Sequence, residues 1–397
     1  MFKKLLMFIF ILYLLLPLSY SLEPLAPYGT FKDLKTVNSY QVPFNKAALS
    51  RNGSQAQSVK KGDVIQDYGM YYLYSQEEAT LIKFSIAATE DLLTQPITND
   101  ADLEKAILFA LEDGNTHYTL KVGKSYKDLK AKLKTIHKKL TDTYPLIDYM
   151  GYEALIYSDR VEITYKRRTT PDVTYQTLTF LDNVIKQLDL SQDSIEREKQ
   201  IVRFILNRYH YDKSQEVIPS EALSRTVQGA YLDKALVCSG YAKLAQFLFN
   251  VVGIPTQYVV GRTTNGQAHA WNIVKLDNGY YHVDLTWADS DRFNQSQNHY
   301  VDYINEKDTY MAQTHIWDQT LYPACNQNTY LNTSIYTLPV LNDQLLKIDF
   351  SRTYRFMSTD STLLKQQIKR LANLYGKPIT YYTRIKYNSI LVKFNSI

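Results

Sequence analysis

A chain of 397 residues with 45% apolar content is long enough for roughly two or three domains and is neither disordered nor fibrous. Its formal charge of +5 is too mild an excess for a dedicated nucleic-acid partner or a polybasic membrane contact. Two cysteines, Cys238 and Cys325, cannot supply a disulfide framework, so each thiol is kept for reactivity or for packing.

Residues 1–21, MFKKLLMFIFILYLLLPLSYS, place Lys3 and Lys4 before an apolar run from Leu5 to Leu16, a breaking Pro17, and small Ser19 and Ser21. This is the plan of a secretory signal with cleavage expected after Ser21, so the mature chain is expected to be secreted or held at the cell surface. The run is shorter than the about 20 residues of a membrane span, and an uncleaved signal anchor is the only membrane contact foreseen. Residues 22–80 read as a polar segment. The stretch SRNGSQAQSVKKGDVIQDYG, from Ser50 to Gly69, is rich in turn formers and is expected to be a linker or flexible arm.

Residues 81–190 alternate helical and extended patterns, as a small α+β accessory domain would. Within YKDLKAKLKTIHKKL, Leu129, Leu133, Ile136 and Leu140 recur at three- and four-residue steps with lysines between them, which predicts an amphipathic surface helix. Strand-like ALIYSDRVEITYKR follows, turning near Ser158-Asp159. The C-terminal segment, 333–397, repeats that order: extended TYRFMST, helical LLKQQIKRLANLYG, then PITYYTRI and SILVKFNSI. Two βαββ-like units, around 117–167 and 352–396, are therefore expected to flank the middle of the chain.

The middle, residues 191–332, carries the chemistry. A helix is expected to start with Asp193 and Glu196 in capping-box spacing, to bury Ile201, Val202, Ile205 and Leu206, and to run into Arg208-Tyr209-His210-Tyr211-Asp212. A second helix opens at Cys238, carries Ala242, Ala245, Phe249 and Val252 on one side, and stops at Gly253 with Pro255 beyond. QYVVGRT, HAWNIVKL and YYHVDLTW then read as three strands, the last two joined across Asp277-Asn278-Gly279.

Cys238 at a helix start, His269 at a strand start and Asp284 near a strand end form a thiol, imidazole and carboxylate in order. A helix N-terminus favours a thiolate, a neighbouring imidazole can take the thiol proton and later return it, and a carboxylate can fix the imidazole tautomer. Facing of His269 and Asp284 depends on the hairpin. A two-residue Asn278-Gly279 turn would set Asp284 opposite Ile273, whereas a four-residue loop from Lys275 to Asn278 would set His269 directly across from Asp284, so the chemistry favours the longer loop or a bulge. His282 is a rival base. With no C-x-x-C and no paired histidines at helical metal-ligand spacing, no metal and no cofactor are expected.

VCSGYAKL, the helix ending in GIP, HAWNIVKL and YYHVDLTW together resemble the transglutaminase-like superfamily, in particular its exported bacterial branch. The likeness continues more loosely through NHYVDYINEKDTYMAQTHIWDQTLYPACN and covers roughly residues 195–330. It implies an α+β, papain-like core in which the helix bearing Cys238 packs on an antiparallel sheet carrying His269 and Asp284, with Cys238 as nucleophile, His269 as base and Asp284 as orienter. Animal members place a tryptophan upstream of the nucleophile to help bind the oxyanion. Here Trp271, Trp287 and Trp317 all follow Cys238, so Tyr209, Tyr211 and Gln228 are the candidate side-chain donors beside the Cys238 amide. Tyr241, Trp271 and Trp287 are further candidates for substrate contact, the two tryptophans being expected mainly to pack around the hairpin.

Cys238-Ser239-Gly240 is also similar to the NlpC/P60 cell-wall peptidases, but those carry an aspartate before the cysteine where Val237 stands here. The expected activity is thiol-dependent acyl transfer or hydrolysis on carboxamide or peptide bonds of a protein or peptide, cell-wall peptide included. The alternative is a non-catalytic binding or scaffold module at the cell surface. Oligomeric state is not legible.

Overall fold

A computed structural model describes residues 29–88, 93–124, 126–214, 217–277, 279–289 and 303–327, and in the C-terminal segment residues 335–336, 353–356, 362, 365–366, 369, 381–386 and 389–394. The expected secretory signal, residues 1–21, lies outside the described residues, as does most of the helix expected over LLKQQIKRLANLYG. No helix among the described residues is long and apolar enough to cross a membrane.

Where a flexible arm is expected, the chain builds a sheet. Strands β1 (Thr30–Asp33), β2 (Tyr40–Gln41), β3 (Ala47–Arg51), β4 (Gln57–Val59), β5 (Val64–Ile65), β6 (Gly69–Ser75) and β7 (Thr80–Ile86) follow in order. Five of them form a sheet in the order β1-β7-β6-β3-β4, and β2 pairs with β5. The sheet crosses the boundary expected between residues 80 and 81. The sequence misleads there because tyrosines do the work of aliphatics: Tyr72 and Tyr74 are buried, and their hydroxyls are satisfied by Asp182 Oδ1 at 2.8 Å and the Leu190 carbonyl at 2.7 Å. Alternate residues of β6 and β7 serve two cores, Tyr72, Tyr74 and Leu81 facing the helices while Tyr71, Leu73, Ile82 and Phe84 pack on the other side.

Next come α1 (Asp100–Asp113), β8 (His117–Lys121), α2 (Leu129–Thr143), β9 (Gly151–Ile156) and β10 (Arg160–Lys166), with the sheet ordered β8-β10-β9 and a core of its own. In α2, Leu129, Leu133, Ile136 and Leu140 are the buried face. Helix α3 (Pro171–Ile185) buries Leu181, Val184 and Ile185 in the following unit's core, although it precedes the boundary expected at 191.

That core surrounds two helices and a central sheet. Helix α4 (Ser194–Arg208) is capped by Asp193, whose carboxylate accepts from the Ile195 and Glu196 amides, while Glu196 pairs with Lys199 rather than reaching back. After β11 (His210–Tyr211), α5 (Val227–Leu232) and β12 (Ala235–Leu236) comes α6 (Cys238–Val251), apolar nearly all round and buried from Gly240 onward save Lys243. Gly253 ends it in the left-handed region, where a Cβ would also strike the Tyr74 ring. The central sheet runs β16-β15-β14-β13-β17 from β13 (Thr256–Thr263), β14 (Ala268–Leu276), β15 (Gly279–Val283), β16 (Ile304–Glu306) and β17 (His315–Ile316), every pairing antiparallel. Short α7 (Leu285–Ala288) and α8 (Asp308–Met311) flank β16 in the chain. The architecture is α+β, with α6 lying on β13 and β14.

In the C-terminal segment, β18 (Ile335–Tyr336), β19 (Thr353–Phe356), β20 (Tyr381–Lys386) and β21 (Ser389–Phe394) form a sheet in the order β18-β19-β21-β20.

Candidate active site

Cys238 is the first residue of α6, half-buried, with its thiol free. Its position is fixed from both sides. Upstream, β12 pairs in parallel with β11, setting Leu236 beside Tyr211, and the Val237 amide donates to the Ser224 carbonyl at 2.9 Å. Downstream, Gly240 lets the same Ser224 carbonyl approach where any Cβ would collide with it. No side chain caps α6, so its first-turn amides stay free and the positive end of the helix dipole falls on Cys238.

The hairpin adopts neither expected register. Leu276 pairs with Gly279 and Asn272 with Val283. Continued by one step, this register puts Asp284 level with Trp271, two positions from His269 on the same face. Of the expected longer loop or bulge, the longer loop is not formed, and the register shift that does occur, between His282 and Val283, lies in the pairing of β15 with β16. Diagonal neighbours are within reach of an imidazole, and Asp284 has left the strand to cap α7, accepting from the Thr286 amide at 3.0 Å and the Trp287 amide at 3.2 Å through Oδ1.

His269 donates from Nε2 to Asp284 Oδ2 at 2.7 Å. Both side chains are buried. That bond assigns Nε2 as a proton-bearing nitrogen and leaves Nδ1 as the one able to face Cys238. Burial is the largest single influence on His269 and disfavours its charged form. The Asp284 charge and hydrogen bond, with the Cys238 contact added, outweigh it and lift the imidazole to about 10. Asp284 shows the same balance: burial pushes its carboxyl up, but the His269 charge and bonds from both histidines hold it well below the usual carboxylate range.

The second histidine is His315, which the sequence reading missed. Its Nε2 lies 3.0 Å from the same Asp284 Oδ2, and its ring packs on Trp271, Trp287 and His269 at centroid distances of 4.9, 4.7 and 5.2 Å. Nothing in the local pattern THIWD marks it, because it arrives on a two-residue edge strand set by pairing with β13.

The remaining candidates separate. Tyr211 lies near Cys238: burial, then the Cys238 and Asp212 charges, push its phenol up, partly offset by Arg225. Tyr209 and Gln228 are not available as oxyanion donors. Tyr209 is buried and gives its hydroxyl to the Ala230 carbonyl at 2.9 Å, and Gln228 gives its amide to the Leu146 carbonyl at 2.8 Å. Tyr241 is also buried, bonded to Asp289. Trp271 and Trp287 pack on the His269 ring at 5.9 Å each, so they frame the imidazole as well as the hairpin. The rival base His282 is fully buried, accepts from Trp271 Nε1 through Nδ1 at 2.9 Å and donates from Nε2 to Asp308 at 2.8 Å. Cys325 is buried, and its thiol is pushed up by burial and by Asp308. Tyr258 on β13 was also missed. It too is raised by burial first and the Cys238 charge second.

Two clusters bring three metal-ligand atoms within 4.8 Å: His269, Asp284 and His315, and His282, Asp308 and Cys325. In the second, Trp271 already donates to His282 Nδ1, so an ion on Nε2 would strip the ring of its last proton or break that bond. In the first, an ion would displace the two Nε2 protons held by Asp284.

Residues 182–285 match the family model described as the transglutaminase-like superfamily, a span that contains Cys238, His269 and Asp284 and stops short of His315. No curated protein matches the chain. Among solved structures, the chain is similar to a crystal structure of a TGase, with 12% identity over 69% of this chain and 79% of that one and a TM-score of 0.29. It is also similar to the periplasmic domain of TgpA from Pseudomonas aeruginosa, with 16% identity over 32% of this chain and 54% of that one and a TM-score of 0.20. The matched segment is a transglutaminase-like core.

Proposed function

We propose that this chain is an exported thiol enzyme that acts on carboxamide or peptide bonds of a protein or peptide, cell-wall peptide included, through a thioester on Cys238. The observation that carries the reading is the 2.7 Å bond from His269 to the buried Asp284 carboxylate, with the half-buried Cys238 among the groups that favour the charged imidazole. In the proposed cycle His269 Nδ1 already holds the Cys238 proton as an ion pair, and the thiolate sulfur attacks the carbonyl carbon. The resulting oxyanion is met by the Cys238 amide and the Tyr211 hydroxyl. His269 gives the proton to the departing amine or ammonia as the C–N bond breaks. An amine or water then attacks the thioester, losing a proton to His269, and Cys238 leaves as the thiolate, which restores the ion pair. Asp284 holds the ring and its charge throughout.

Whether the acyl group ends on an amine or on water depends on which reaches the thioester first. The test is a glutamine-peptide assay that follows amine incorporation and hydrolysis together, with Cys238→Ala as control. Alkylation adds a readout free of substrate: Cys325 is buried with a raised thiol, so Cys238 is expected to be labelled much faster. Absence of both activities together with equal labelling of the two cysteines would sink the reading. Retention of the biological effect in Cys238→Ala would favour the binding module.

A further inference from the structure

Asp284 carries two imidazoles on one oxygen. Nε2 of His269 and Nε2 of His315 stand 2.7 and 3.0 Å from Oδ2, while Oδ1 takes the Thr286 and Trp287 amides. A carboxylate has about four acceptor sites, so this fully buried group is saturated with donors. His315 comes to it from the far edge of the sheet, where β17 pairs with β13 through Thr263 and His315. Its other nitrogen, Nδ1, lies 2.8 Å from Thr314 Oγ1. The Thr314 hydroxyl also donates to the Met311 carbonyl at 3.4 Å. Donation from His315 on one side and from His269 on the other then converges on the Asp284 carboxylate, which leaves His269 Nδ1 for Cys238.

A histidine sunk among Trp271, Trp287 and Tyr303 could serve as packing alone. Packing needs no nitrogen aimed at a charge, and an apolar ring would fill the same space without the cost of burying two polar atoms. We propose that His315 is a positioning residue for Cys238 chemistry, its Nε2–H pinning the Asp284 oxygen that orients His269. The inference rests on the thiol reading above. A hydrogen bond to a buried charge is strong enough that its loss should slow a step depending on that charge by about tenfold or more.

The full chain serves for the test. In the unaltered protein, nitrogen NMR of histidine-labelled chain should find His315 protonated at Nε2, its signals assigned by their loss in His315→Gln. The reverse tautomer would overturn the proposal whatever the variants do. His315→Leu should slow iodoacetamide labelling of Cys238 about tenfold. His315→Gln, which can still present an N–H near the Nε2 position, should recover most of that loss, and with a peptide substrate the change should fall on kcat and not on KM. A folded His315→Leu that labels like the unaltered chain, or a folded His315→Gln as slow as His315→Leu, refutes the positioning role. If neither variant folds, the tautomer decides. Equal labelling of Cys238 and Cys325 in the unaltered chain would strike the thiol reading itself, whereas a wide gap that His315→Leu leaves untouched strikes this inference alone.

Discussion

The backbone carbonyl of Ser224 rests against the Cα of Gly240, two residues after Cys238, at a distance no side chain could share. The contact locks the opening turn of α6 to the loop that also receives the Val237 amide. Gly240→Ala must therefore push the helix start away from Ser224. The expected cost is about 1–3 kcal/mol, with slower labelling of Cys238 because its thiol no longer meets His269. Gly151→Ala, which would meet nothing within 4 Å, is the matched control and should leave stability nearly unchanged. Thermal unfolding and iodoacetamide labelling of the two variants check this, and a fully reactive, unperturbed Gly240→Ala protein would refute it.

The tyrosines upstream of Cys238 make opposite predictions despite standing two residues apart. Tyr211→Phe should lower kcat by about 100-fold with KM little changed, as removal of an oxyanion donor does. Tyr209→Phe removes a bond to the Ala230 carbonyl and should cost about 1 kcal/mol of stability with kcat preserved. Steady-state kinetics on a peptide substrate would separate them. Equal kcat in both variants would remove Tyr211 from the site.

A raised imidazole has a pH signature of definite sign. His269 sits at about 10 in the folded chain against about 6.5 in an unfolded one. Its contribution to stability is complete below about 6.5 and is lost as the pH climbs toward 10. Asp284, held low, behaves in the opposite sense: its contribution is present above the ordinary carboxylate range and is lost as the pH falls through its depressed value. Urea unfolding of the unaltered chain and of His269→Gln between pH 6 and 10 provides the measurement. The stability difference between the two should shrink with rising pH, and a constant difference would refute the assignment.

The three residues proposed for the chemistry were legible because each is tied to a strong local signal. Cys238 opens a helix closed by Gly253, His269 opens an apolar strand, and Asp284 precedes a short helical turn. The hairpin register was not legible. Asp277-Asn278-Gly279 permits several two- to four-residue loops, and only packing of Val274, Leu276, Tyr281 and Val283 into the α6 core selects among them. The N-terminal sheet was hidden because its buried positions are tyrosines whose partners, Asp182 and Leu190, lie more than a hundred residues away. His315 was hidden for the same reason: its meaning comes from Asp284, 31 residues back, and from no pattern of its own.

Glu198 is a buried acid that the site does not use, and it predicts a stability change that can be read apart from catalysis. It lies fully buried on α4, accepts from Asn305 Nδ2 through Oε2 at 2.8 Å, and leaves Oε1 without a partner, as Asn305 leaves Oδ1. Burial lifts its carboxyl to about 8, against which the Asn305 bond and the Lys199 charge count for less. The unfolded chain gives up this proton near the ordinary carboxylate value, while the folded chain keeps it until about 8. Stability must therefore fall between those limits, since the folded state binds the extra proton throughout. Glu198→Gln removes the titration while keeping an acceptor for Asn305 and an N–H in place of the acid proton. It should be close to neutral at pH 4.5 and stabilising at pH 8, by an amount on the order of a few kcal/mol. Chemical denaturation at the two pH values measures it, and a variant equally stable relative to the unaltered chain at both would show that Glu198 is ionised in the fold.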